Sequence, residues 1–177
     1  MRPRNSLTLA IALFIGAPAS LAAQDAAMKA KMKDALSAAT PEIAADATVM
    51  DWDQTVLREG TNGYTCLPTP PQLDGVVPMC LDDQWLAWAH AWMTKGPVNT
   101  TAVGIGYMLA GDEGSSNTDP YAEGPTDDND WVVAGPHLMV IVPDGADLEG
   151  MTVNPEGGVP WVMWKGTPYA HIMVPTR

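Results

Sequence analysis

Residues 138–142 read LMVIV, apolar at every position. A strand with one wet face alternates polar and apolar residues, whereas an unbroken apolar strand has both faces covered. The chain must therefore fold other elements around this segment. Its surroundings, WVVAGPHLMVIVPDG, GVPWVMWKG and TPYAHIMVP, read as strand, turn, strand, turn, strand. Earlier, ATVMDWD, QTVLREG and YTCLP are short strand-like runs. The TNG between the last two predicts a hairpin turn in which Asn62 and Gly63 take positive φ. TAVGIGYMLAG adds one further strand.

Two helical patterns interrupt the strands. In DAAMKAKMKDALSAAT, Met28, Met32, Leu36 and Ala39 form one stripe with lysines opposite, an amphipathic helix that Pro41 ends. In LDDQWLAWAHAWMTKGP, Asp82 or Asp83 can cap a helix, Lys95 suits its C-terminal end, and Gly96 with Pro97 stops it. Trp85, Trp88 and Trp92 share one face and Leu86, His90 and Met93 form a second stripe, so this helix is expected to be largely buried. No strand and helix units alternate as a parallel doubly wound sheet requires. The expectation is an α+β fold: an antiparallel β-sheet or partly closed barrel with an N-terminal amphipathic helix and a central Trp-rich helix. A β-sandwich with peripheral helices is the alternative.

The first residues, MRPRNSLTLAIALFIGAPASLAAQDA, combine Arg2 and Arg4, an apolar run and small residues at Ala22 and Ala23. These are the three parts of a secretory signal peptide, expected over residues 1–23 with cleavage near Ala22 to Gln24. Gly16 and Pro18 interrupt the run, which falls short of the roughly 20 apolar residues of a membrane span. Residues 24–177 then form a single exported domain, periplasmic or secreted. The formal net charge of −12 becomes more negative when two arginines leave with the signal. So acidic a chain repels phosphate backbones and anionic lipid heads, which makes nucleic acid and membrane surfaces poor partners and cations suitable ones. Cys66 and Cys80 flank the proline-rich loop CLPTPPQLDGVVPMC, and an exported pair at this spacing reads as a structural disulfide.

The motifs GTNGYTC, SNTDPYA and WVMWKGTPYAHIMVP resemble those of a family of exported bacterial proteins without an assigned activity. The resemblance spans most of the mature chain and implies export and a shared fold. It carries no catalytic residue.

The feature with most chemical content is a repeated His-x-Met, in GPHLMVIVP and again in YAHIMVP. Residues two apart on a strand face the same side, so His137 with Met139, and His171 with Met173, can each direct an imidazole and a thioether into one space. On neighbouring strands the four would converge, with His90 completing the set. Nitrogen and thioether ligands suit copper, above all Cu(I), and zinc is the other candidate metal. The bland alternative is that both segments are core strands filled by Met.

Other constellations are thinner. Asp112, Glu113, Asp119, Glu123, Asp127, Asp128 and Asp130 lie in one acidic loop and offer oxygen ligands for calcium, without EF-hand spacing. VMDWDQTVL resembles the first motif of the haloacid-dehalogenase phosphatases, which would map the nucleophile and the proton-handling acid onto Asp51 and Asp53. Its structural context, a parallel sheet with later motifs, is missing from the pattern. Ser116 near His137 is conceivable as a nucleophile, but no G-x-S-x-G elbow exists. The function expected is a metal- or small-ligand-binding protein of the bacterial envelope. Alternatives are a hydrolase-type enzyme using His137 or His171 as base with Asp82, Asp83 or Asp119, and an envelope interaction protein presenting an apolar patch.

Overall fold

A computed structural model describes residues 18–143 and 148–176, with side chains from Leu21 onward. In chain order its helices are α1 (Pro18–Leu36), α2 (Pro41–Asp46) and α3 (Asp83–Met93). Its strands are β1 (Thr48–Met50), β2 (Val56–Arg58), β3 (Tyr64–Leu67), β4 (Met79–Asp82), β5 (Gly104–Met108), β6 (Ser115–Ser116), β7 (Trp131–Val132), β8 (His137–Ile141), β9 (Trp161–Met163) and β10 (His171–Pro175). Eight strands form one sheet in the order β2, β1, β3, β4, β5, β8, β10, β9, and β6 pairs with β7 as a small ribbon. Every pairing is antiparallel except β1 with β3. The α+β class with a mostly antiparallel sheet therefore holds. Because β2 and β9 end the order without meeting, the sheet is open rather than a barrel, and the two-stranded ribbon is too small to make a sandwich.

The two faces of the sheet carry different layers. On one, Ala35 and Ala38 pack against Val49, Cys66 and Cys80, all of them fully buried. Of the stripe predicted for this helix, Met32, Leu36 and Ala39 pack against this cluster and only Met28 is exposed, while the closest approach to the sheet is made by Ala35 and Ala38, whose small side chains do not hold the chain off. The helix stops at Leu36, and Pro41 starts α2, where its missing N–H costs nothing at the first helical position. Residues 1–17, most of the expected signal peptide, lie outside the described residues. From Pro18 the helix runs without interruption through the expected cleavage region. No described helix is long and apolar enough to cross a membrane.

On the opposite face α3 brings Trp85 and Trp88 onto Leu81, Met108, Met139 and Met173. Asp82 is the cap, its Oδ1 accepting from the Trp85 N–H at 2.9 Å, while its Oδ2 accepts from Ile105 N–H at 2.6 Å and so ties the helix start to β5. At the far end Lys95, not Gly96, takes the left-handed conformation with φ 53°. Gly96 N–H donates to Ala91 O at 2.8 Å and Lys95 N–H to Trp92 O at 3.1 Å, the paired bonds that close a helix C-terminus. The Lys95 ammonium sits 4.5 Å from the Tyr121 ring centre, a cation–π contact that offsets the unfavourable backbone. Of the second predicted stripe only Leu86 packs against the core: Met93 is 56% exposed and His90 is exposed as well.

Two local expectations change. TNG does not join β2 to β3 as a hairpin, because β1 lies between them, paired to β2 on one side and to β3 on the other. The turn chemistry is spent on docking: Thr61 N–H donates to Asp46 O at 2.7 Å, Asn62 Nδ2 donates to Ile43 O at 2.8 Å, and only Gly63 takes positive φ. In 138–142, Met139 and Ile141 are buried but Leu138 and Val140 are half-exposed, since α1 and α2 cover only the first half of the second face.

Cys66 and Cys80 stand directly opposite on β3 and β4 and form a disulfide, both fully buried. The loop they close is also pinned from outside, with the Glu113 Oε1 accepting from Val76 N–H at 3.1 Å. Closing a loop of about 15 residues contributes roughly 3 kcal/mol through the unfolded chain. The double variant Cys66→Ala/Cys80→Ala is expected to lose about that much stability in urea unfolding, with a slope equal to or steeper than the native one because the released unfolded chain is less compact. An unchanged midpoint would show that proline and packing alone hold the loop.

Candidate functional site

The two His-bearing strands are neighbours. β8 and β10 pair with Met139 opposite Met173 and His137 opposite Pro175. On both strands the His and Met residues are the buried set, so all four side chains face α3. The register nevertheless keeps the histidines apart. His171 lies four residues from the position opposite His137, about 13 Å along the strand at roughly 3.3 Å per residue. The methionine pair sits between them, and a single ion bound by both imidazoles does not fit this spacing. His90 is on the solvent side of α3 and is not brought to either.

Register adds two residues that sequence reasoning passed over. Met108 of β5 is opposite His137, and Met163 of β9 is opposite His171. Both are buried. The sheet face under α3 is thus a lattice of imidazoles and thioethers, in which Met108 with His137, Met139 with Met173, and Met163 with His171 are cross-strand pairs. Only the strand order reveals this, because Met108 and Met163 have no histidine beside them in sequence.

The two imidazoles are held alike at one nitrogen and differ at the other. His137 Nδ1 lies 2.7 Å from Gly135 O and His171 Nδ1 lies 3.0 Å from Tyr169 O. A carbonyl only accepts, so in each neutral ring the proton is on Nδ1 and Nε2 carries a lone pair. His137 Nε2 is buried without any hydrogen-bond partner, the only such side-chain nitrogen or oxygen among the described residues. An unpaired buried acceptor costs on the order of 1–3 kcal/mol, and such a group calls for a reason. The His137 residue also lines a cleft of about 210 Å³, together with residues including Ala134, Gly135, Pro136, Trp161 and Pro175.

Burial pushes the His137 pKa down, against the Gly135 carbonyl and the charge of Asp112. Asp112 is itself pushed up by burial, partly offset by His137 and by backbone donors. Its Oδ1 accepts from Ala134 N–H and Gly114 N–H, each at 3.0 Å. Asp112 is therefore the acid electrostatically linked to His137, in place of Asp82, Asp83 or Asp119. Asp82 is occupied as the helix cap, Asp83 is exposed at the start of α3, and Asp119 closes a turn by accepting from Tyr121 N–H at 2.9 Å.

His171 is enclosed by indoles. Its ring stands edge-on to Trp85, Trp88 and Trp164 at centroid distances of 5.4, 5.3 and 5.0 Å. Burial lowers its pKa to about 4. Trp164 is the unexpected member. Its ring slots between Trp88 and Trp92, 5.9 Å from each and nearly parallel to both. It reaches that slot from a left-handed backbone, φ 57°, uncommon for so bulky a residue. Three bonds hold it there: Trp164 N–H donates to Asn117 O at 2.8 Å, Nε1–H donates to Ser116 O at 2.6 Å, and the Trp164 O accepts from Thr167 Oγ1 at 2.8 Å.

The acidic loop is a scaffold for this wedge. Asn117, 3% exposed, donates from Nδ2 to Asp130 Oδ2 at 2.9 Å and to Val153 O at 2.8 Å, and its Oδ1 accepts from Trp161 Nε1–H at 3.2 Å. The loop carboxylates serve turns rather than a common point, and among the described residues no three His, Cys, Asp or Glu side chains converge to hold a metal. The calcium expectation has no support in this geometry. Ser116 is buried with its hydroxyl donating to Asn129 O at 2.7 Å and accepting from Asp119 N–H at 2.8 Å, which leaves it no nucleophilic freedom. Asp51 is paired with Lys31 of α1, and Asp53 accepts from Thr55 N–H at 2.9 Å in an exposed turn. Both shape the β1–β2 connection, and among the described residues the sheet is antiparallel except for β1 with β3, unlike the parallel sheet of the phosphatase family.

Two outcomes follow. Trp164→Ala should lose about 3–5 kcal/mol in urea unfolding, as large aromatic truncations do. Trp164→Gly should be no less stable than Trp164→Ala, because glycine accepts the left-handed backbone; a less stable glycine variant would show that the backbone there is unstrained. For pH, both buried histidines have folded pKa values below the unfolded value of about 6.5, so the unfolded chain binds more protons beneath it. Stability is then full above about pH 6.5 and falls toward pH 4, by about 3 kcal/mol for His171 alone. Asp112 contributes with the opposite sign. Urea midpoints that stay level from pH 7 to 4.5 would contradict the assignment of neutral, desolvated imidazoles.

No family model matches the chain, and neither does any curated protein or solved structure.

Proposed function

We propose that this protein is an exported, disulfide-stapled binding domain of the bacterial envelope that takes a metal ion or small ligand at His137. The single observation that carries the reading is His137 Nε2, a lone pair buried without a partner and fixed in direction by the Nδ1–H bond to Gly135 O. A core position that needed only bulk would be served better by an apolar residue. A bare nitrogen on a residue that lines a cleft is suited to accept a metal ion or a ligand donor. The disulfide and the lack of a membrane-crossing helix among the described residues are compatible with export.

The enzyme alternative has weaker support. A general base of this kind is usually oriented by a carboxylate, and His137 Nδ1 is held by the Gly135 carbonyl instead. The interaction-protein alternative draws on the half-exposed Leu138, Val140, Ile172 and Val174, with nothing to indicate a partner.

The test is His137→Leu, which removes the nitrogen at similar volume. Gly135 is exposed, so its freed carbonyl can meet water. Metal per chain by elemental analysis, together with Trp fluorescence response to added ligand, should fall to background in the variant. Its melting temperature should hold or rise, because an unsatisfied buried group has gone. Equal metal content and equal ligand response in both proteins would overturn the reading.

A further inference from the structure

The reading above leaves the chemical class of the ligand open, and the packing around His137 narrows it. No three His, Cys, Asp or Glu side chains converge among the described residues, so an ion at His137 must find its other protein ligands elsewhere. Cysteine is unavailable for this, since Cys66 and Cys80 are bonded to each other on the opposite face of the sheet. The neutral donors nearest His137 in the sheet register are thioethers. Met108 is its direct cross-strand neighbour, at a spacing of about 4.5–5.5 Å between Cβ atoms for such pairs. Met139 follows it by two residues on the same face and is itself opposite Met173.

The glycines of β5 show where the Met139 side chain goes. A Cβ at Gly106 would lie 2.9 Å from Met139 Cε, so the end of that thioether leans over β5 toward the strand that carries Met108. Any side chain at position 106 would displace it. A buried imidazole lone pair, a thioether on the facing strand and a second thioether that leans across to that strand thus lie at adjoining register positions on one side of the sheet. Neutral nitrogen and sulfur without a carboxylate are poor ligands for hard divalent ions and good ones for a soft monovalent d10 ion.

We propose that His137, Met108 and Met139 form a binding site for a soft monovalent cation of the Cu(I) class. This rests on the His137 reading and adds Met108, which that reading does not use. His171 is outside the site, walled off by three indoles, and Met163 is partly engaged by Ser115, whose hydroxyl lies 3.7 Å from its sulfur.

The probe is Ag(I), a redox-inert stand-in for Cu(I) that requires no reductant and so leaves the Cys66–Cys80 bridge closed. It is titrated as the nitrate, in chloride-free buffer, into the mature protein with its methionine methyl carbons labelled. One equivalent should shift the Met108 and Met139 methyl signals and leave Met163 in place. Met108→Leu, a volume-conserving change, should weaken Ag(I) binding at least about tenfold, the lower end of what is lost even when groups that merely support a metal ligand are removed. Met163→Leu should bind as the wild type does and serves as the folding control.

Binding that survives Met108→Leu but is lost in His137→Leu overturns the thioether assignment and leaves the His137 reading standing. Shifts confined to exposed methionines such as Met28 and Met93, or no uptake at all, overturn it equally. In that event the zinc and organic-ligand response of His137→Leu decides the His137 reading by itself. Binding unchanged in His137→Leu overturns both.

Discussion

The insertion of Trp164 between Trp88 and Trp92 is the constraint on which the upper layer of this protein depends. It fixes α3 to the β9–β10 connection, since the slot exists only where two indoles stand one helical turn apart. The wedge needs an unfavourable backbone at Trp164, and the bonds that hold it come from Ser116 and Asn117 in the acidic loop. Asn117 in turn grips Trp161, Asp130 and Val153. Helix, loop and last hairpin are therefore one cooperative unit, and the histidine face lies beneath it.

How much of this was legible before any coordinates depended on the range of the interaction. The cap at Asp82, the buried Trp85 and Trp88, the disulfide and the pairing-competent strands are local, and composition or spacing revealed them. The crossing of β3 past β1 was not legible, because TNG carries the same residues whether it turns a hairpin or docks on α2. Nor was the role of His90, since an aromatic-rich helix does not state how far its buried stripe extends. The strand order was the missing quantity at the site. His137 and Met139 were visible as a pair, but Met108 and Asp112 enter only through the neighbouring strand and its turn.

The glycines of β5 express the same economy of space. At Gly104 a Cβ would meet Ile141 Cγ1 at 2.7 Å and Gln84 Cβ at 2.9 Å, and at Gly106 it would meet Met139 and Leu81. α3 can lie this close to the sheet only because two of the three β5 positions that face it, 104 and 106, carry no side chain. A strand weakened in its own propensity thus permits the closest helix contact in the domain's histidine-bearing half. Local preference yields to packing where the two conflict.

Trp88, Trp164 and Trp92 also form a column of nearly parallel indoles, continued by Tyr121 at 6.3 Å from Trp92. At such spacing the electronic transitions of adjacent rings are no longer independent, and absorption is shared along the column as an exciton. The folded chain therefore carries a built-in optical signature, a circular dichroism couplet that belongs to the indole cluster, with Trp85 at 4.6 Å from Trp88 adding to it, and not to the backbone. Its amplitude varies with the angle between rings, so a shift of α3 against the last hairpin too small to alter secondary structure becomes visible as light.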